Sequence, residues 1–108
     1  MENELFKKQL ARLDEAHFLL LYWTTVAEDK EQRYNITNAF DDLKFHKVTR
    51  TKQSAVAFVD SLHALCLIDV REESNRKNLY LSEYGGLALQ ELITDSKFSI
   101  KNSIHLEG

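Results

Sequence analysis

No proline occurs in this chain and no glycine precedes Gly85, so for most of its length no residue forces the backbone to turn. Element boundaries must then be read from hydrophobic periodicity and capping side chains. Leu5, Phe6, Leu10 and Leu13 fall on one side of a short amphipathic helix. A second helix runs from about Glu15 to Glu28. It carries Leu19, Leu20, Trp23, Val26 and Ala27, with Phe18, Leu21 and Tyr22 on its other faces. A helix apolar on more than one face either sits centrally or serves two interfaces. In a chain of 108 residues a partner subunit is expected to cover the second.

Asp29 to Gln32 is a charged connection, and Tyr34-Asn35-Ile36 reads as one short edge strand. Thr37 or Asn38 then caps a third helix, with Asp41 and Asp42 in its first turns, where the helix dipole favours acids. Ala39, Phe40 and Leu43 face inward along it, and Phe45 follows them. His46 to Arg50 is a turn, after which Thr49 or Thr51 caps a fourth helix. Ala55, Phe58, Val59, Leu62, Leu65 and Cys66 give that helix its inward stripe, with Cys66 expected in the core. Leu67 to Arg71 and Leu79 to Leu81 are strand-like runs that flank a charged loop, Glu72 to Asn78. Ser82 caps the last helix, in which Leu89, Leu92 and Ile93 point inward. After Asp95 only scattered apolar residues remain, Phe98, Ile100, Ile104 and Leu106. They suit either a helix packed on a neighbour or a partly disordered tail. One domain is expected, its core at about residues 15–95, with 1–14 and 96–108 as dimerisation or peripheral segments.

The net charge of −3 is unevenly spread. Lys44 to Lys77 holds seven basic and four acidic residues, a local +3, whereas residues 1–43 hold five and nine, a local −4. Residues 78–108 add two and four, or −2. The basic charge therefore gathers on the segment carrying the fourth helix and the hairpin. A single cysteine excludes an internal disulfide and suits a reducing cytosol. No run approaches the roughly 18 apolar residues of a membrane span, and Met1-Glu2-Asn3-Glu4 is acidic where a signal peptide would be basic. The expected location is cytoplasmic, with no membrane partner. His63 and Cys66 stand three apart on a helix, but no further Cys or paired His lies near enough to complete a metal site. Phosphate loops and nucleophile elbows are also missing, so neither catalysis nor a cofactor is expected.

At Val59-Asp60-Ser61-Leu62-His63-Ala64-Leu65-Cys66-Leu67-Ile68 and Leu79-Tyr80-Leu81-Ser82-Glu83-Tyr84-Gly85 the sequence resembles winged-helix transcriptional regulators. It looks most like the MarR (multiple-antibiotic-resistance regulator) group. There a recognition helix ends in a leucine-rich turn, and the wing returns through an apolar strand to L-[ST]-x-x-G. The likeness covers about residues 36–93. Members usually carry glycine where this chain has Cys66, and the corner from Lys44 to Thr49 has no glycine either. The resemblance implies a mainly α fold with a small antiparallel β-wing, and a dimer that binds double-stranded DNA. It leaves open which effector, operator or genes are involved.

On that reading Lys52, Gln53, Val56 and Ala57 form the outer face of the recognition helix near its start. Gln53 suits an adenine edge, Lys52 guanine or phosphate, and Val56 or Ala57 a thymine methyl. Thr51 and Ser54 serve as cap residues or phosphate contacts. Lys47 and Arg50 meet backbone phosphate, while Arg76 and Lys77, at the centre of the hairpin loop, meet phosphate or minor groove. Glu72 and Glu73, at the base of the wing, repel phosphate. The competing reading is a winged helix that binds protein through the same face, which Asp60, Glu72, Glu73 and the net acidity favour.

Overall fold

The computed structural model describes residues 2–106; Met1, Glu107 and Gly108, the outermost residues of the two expected peripheral segments, lie outside the described residues. The described residues form five helices and one antiparallel hairpin, in the order α1 (Glu2–Ala11), α2 (Glu15–Asp29), α3 (Ile36–Phe45), α4 (Lys52–Ala64), β1 (Ile68–Glu73), β2 (Arg76–Leu81) and α5 (Glu83–Thr94). The mainly helical architecture with a small two-stranded sheet agrees with the sequence reading.

Helix α2 is the axle of the fold. It packs against α4, α5 and β2, and Phe18, Leu19, Leu20, Leu21 and Trp23 are all fully buried within the one chain. The expectation that a partner covers its second face is therefore corrected. Elements of the same chain surround the helix, and Phe98 of the closing segment lies 5.6 Å from Phe18.

The caps of α4 and α5 are among those expected, and only that of α3 moves. Asn35, rather than Thr37 or Asn38, caps α3: its Oδ1 accepts from Asn38 N at 2.8 Å, while Asn38 Oδ1 accepts from Asn35 N at 3.1 Å. This reciprocal box satisfies two backbone donors that the helix leaves open. Asn35 also bridges to Asn78, and Leu79 N donates to Tyr34 O at 2.7 Å, so the expected edge strand shrinks to a single bridge on β2. Thr51 caps α4 by accepting from Ser54 N at 3.1 Å. Ser82 caps α5 by accepting from Gly85 N at 2.9 Å, while its hydroxyl donates to Cys66 O at 2.6 Å.

Without glycine, helix ends use other residues in left-handed backbone. Lys47 (φ 61°) ends α3 and Cys66 (φ 63°) ends α4. Each donates to the carbonyl three residues back, and each following residue donates to the carbonyl five back: Lys47 N to Lys44 O and Val48 N to Leu43 O, then Cys66 N to His63 O and Leu67 N to Leu62 O. These are paired Schellman closures, which glycine ordinarily serves. The closure turns Cys66 outward, so it is exposed and not in the core as expected.

Other inward assignments fail at helix ends. Phe45 and Ile93 are 61% and 45% exposed, since both fall off the buried stripe in the last turns. Leu13 lies past the end of α1 and is buried, whereas Leu5 is 63% exposed. Gly85 answers a close approach. A Cβ there would come within 1.9 Å of Leu67 O, so α5 can seat on the α4–β1 junction only without a side chain.

Residues 96–106 form no helix, and the last six are hydrogen-bonded to the core. Residues 101–106 form a strap across α2 and α3. Trp23 Nε1 donates to Lys101 O at 2.7 Å, and Lys101 Nζ reaches Glu15 at 2.9 Å. His46 Nε2 stands 2.6 Å from Asn102 O. The strap centres on Asp42, which is fully buried. Its Oδ2 accepts from Tyr34 and Ser103 hydroxyls, both at 2.5 Å, and its Oδ1 from Ile104 N at 2.7 Å. Asp42 lies two turns into α3, so its role is that of a buried acceptor, in place of the dipole role expected of it.

Candidate functional site

The outer face of α4 and the hairpin enclose an open groove of about 880 Å³. One helical stripe of α4 lines it: Lys52, Val56, Asp60 and His63, at spacings of four, four and three. The opposite wall is the hairpin, through Val70, Glu72, Asn75, Arg76 and Lys77. The start of α3, at Ile36 to Asn38, closes one end. Four predicted site residues, Lys52, Val56, Arg76 and Lys77, are thus brought together from segments some twenty residues apart.

The others lie around that groove. Gln53, Ser54 and Ala57 are exposed on neighbouring stripes of α4, and Lys47 and Arg50 are exposed on the corner before it. Thr51 is the cap, and its hydroxyl stands 3.0 Å from that of Ser54, so both cap and helix start are pinned. The first turn of α4 carries no acid.

The hairpin differs from its expected form. The strands run to the tip, and the turn is only Ser74-Asn75, with φ 51° and 66°. Two successive left-handed residues match the twist of the flanking strands. Arg76 and Lys77 therefore open β2 rather than occupying a loop, and Glu72 and Glu73 end β1 beside the tip rather than at the base. The register sets Glu73 opposite Arg76 and Glu72 opposite Lys77. Cross-strand opposition moderates the positive charge of the tip without pairing it: among the described residues neither Arg76 nor Lys77 is in an ion pair. Arg71, by contrast, is committed, 2.9 Å from Asp69 and 4.3 Å from the centre of the Tyr80 ring.

Glu73 accepts from the Tyr80 hydroxyl and from Asn78 Nδ2, which holds its carboxyl below the usual range; Arg33 adds to this. Within the groove three fixed cations (Lys52, Arg76, Lys77) face two carboxylates (Asp60, Glu72), a balance of +1. His63 turns toward Asp69, at 4.0 Å, and away from Cys66, which lines an apolar groove on the far side. Among the described residues no three His, Cys, Asp or Glu side chains converge on one point.

Asp60 stands on the face where the competing protein-binding reading put it, whereas His63 was missed as a groove residue, although its helical spacing from Val56 and Asp60 was available as a signal. Asn35, Thr37 and Asn38 could not be placed there without the tertiary packing of α3. No family model, no curated protein and no solved structure matches the chain.

Proposed function

We propose that the chain is a sequence-specific double-stranded-DNA-binding protein of winged-helix type, acting as a homodimeric transcriptional regulator. In this reading α4 enters the major groove and the β1–β2 hairpin is the wing. One observation carries the proposal: Lys52 and Val56 of α4 share a groove with Arg76 and Lys77 of the hairpin, and the corner leading into α4 adds Lys44, Lys47 and Arg50, which gives the segment Lys44 to Lys77 its local +3 in an otherwise acidic chain. Gln53 and Lys52 read base edges, Val56 and Ala57 meet thymine methyls, Thr51 and Ser54 meet phosphate, and Lys47 and Arg50 anchor the backbone.

The dimer rests on the N-terminal helix, as its sequence suggests, together with α5 and not with the apolar run of α2. Leu5, Tyr84 and Leu87 are exposed around an open, largely apolar groove of about 410 Å³ between α1, the α4–β1 junction and α5. Exposed apolar surface of this kind is a common mark of association.

A second reading, a winged helix that binds an acceptor-poor, basic protein surface, is favoured by Asp60 and Glu72 on the same groove. Binding of variants to a selected site and to random duplex across a salt series separates the two. Gln53→Ala is expected to cost on the order of 1–3 kcal/mol on the selected site and little on random DNA. Arg50→Ala is expected to weaken both and to reduce the salt slope by about one unit. Unchanged curves for both variants would give the protein-binding reading precedence.

A further inference from the structure

Beside the groove, on the outer side of the hairpin, lies a smaller pocket of about 320 Å³ that contains no α4 residue. Arg33 and Arg76 flank it, Asn35 and Asn38 come from the start of α3, and Asn78 is its most buried member. The capping box consumes the amide oxygens of Asn35 and Asn38 on each other's backbone N–H groups, so what these side chains present is NH2. Glu73, the one acid present, has its Oε1 taken by Tyr80 and Asn78. Among the described residues neither guanidinium is in an ion pair. Two guanidiniums and one carboxylate leave the pocket at +1.

Asn78 is 2% exposed, and its Oδ1 accepts no hydrogen bond. Its Nδ2 donates to Glu73 Oε1 at 2.8 Å, so Asn78 serves the wall of the pocket and the free donors are those of Arg33, Arg76, Asn35 and Asn38. The frame around it is rigid, because Leu79 N binds Tyr34 O and Asn35 bridges to Asn78 immediately after Arg33. A phosphate fits the guanidinium and amide donors that line the pocket. Its oxygens accept from the guanidinium and amide groups.

We infer that this pocket takes one phosphodiester of the duplex backbone between Arg33 and Arg76, extending the contact surface past the hairpin to the α2–α3 connection. The inference rests on the DNA reading above and adds Arg33, which lies outside the reading helix and the hairpin, to the contact set.

The test uses the full chain and its Arg33→Ala, Arg33→Lys and Arg50→Ala variants, each checked for unchanged melting temperature. Binding to random duplex is measured between 50 and 200 mM salt, and inorganic phosphate is titrated while the Asn35 and Asn38 side-chain amide NMR signals are followed. One phosphate contact is worth about 0.9 of a slope unit, so its loss should shrink the fall in affinity over that range by roughly threefold. Arg33→Ala should show this loss and Arg33→Lys should retain most of the slope. Shifts of both amide signals with duplex, and not with inorganic phosphate at equal phosphate concentration, assign the pocket to the backbone. Shifts with inorganic phosphate alone, or an Arg33→Ala slope equal to wild type while Arg50→Ala lowers it, overturn the inference and leave the DNA reading standing. No binding of the wild type to any duplex overturns both.

Discussion

At the scale of single residues, two adjacent glycines in α5 carry opposite constraints. Gly85 has no room for a Cβ, which would meet Leu67 O at 1.9 Å and Leu81 Cδ1 at 2.9 Å. Gly86 has only Leu81 Cδ2 at 3.7 Å, an ordinary contact. Gly85→Ala must push α5 off the α4–β1 junction and is expected to destabilise by about 3 kcal/mol. Gly86→Ala should stabilise by up to about 1 kcal/mol, the helix preference for alanine. Urea denaturation of the two variants checks this, and equal effects would refute the account of the junction. Lys47 and Cys66 make the complementary point: they hold left-handed backbone that glycine would accept more readily, so the helix closure is set by packing beyond it and not by local preference.

At the scale of elements, the strap and the opening of α2 carry the chain's polar interior. Ser103→Ala removes one of three hydrogen bonds to the buried Asp42 carboxylate and is expected to cost about 2 kcal/mol. Trp23 is the single tryptophan; it donates to Lys101 O and stacks 5.8 Å from His46. Its fluorescence should therefore shift in the Ser103→Ala variant before global unfolding in a urea series. A change that coincides with global unfolding would mean the strap has no local opening. His17, at the start of α2, accepts from Asp14 N through Nδ1, and its buried Nε2 has no partner. Burial depresses its pKa below the ordinary 6.5, with Asp14 opposing more weakly. A depressed histidine contributes stability above its unfolded pKa and loses it as pH falls through the folded value. The melting temperature should thus decline as pH drops below about 6.5, and His17→Gln should flatten that decline. A variant whose melting temperature keeps the wild-type slope would rule His17 out as the cause.

At the scale of the whole molecule, the proposed dimer turns on the exposed groove near Leu5, Tyr84 and Leu87, since the apolar run of α2 is already covered by its own chain. Sedimentation should find a species of twice 12.6 kDa, and Leu87→Glu should return it to the single mass by placing a charge in the contact. A wild-type chain that stays at 12.6 kDa at high micromolar concentration would remove the dimer and, with it, binding to paired half-sites. No described helix is long and apolar enough to cross a membrane.

What the sequence determined by itself was the order of elements and most of their inward stripes. The periodicity of Ala55, Val59 and Leu62 and the caps at Thr51 and Ser82 are local, short-range codes. The same locality explains the failures. Phe45, Ile93 and Cys66 stand at helix ends, where the stripe stops being informative, and Ser74-Asn75 formed a tighter turn than the run of charges suggested. Lys52, Val56, Arg76 and Lys77 were each legible as surface residues of the candidate site, but their shared groove was not. Only tertiary packing decided that, along with the burial of Asp42, the strap of residues 101–106 and the approach of Arg33 to the hairpin. Each joins side chains whose separation along the chain leaves no periodic trace, because their proximity is fixed by how α2, α3 and the hairpin fill one core.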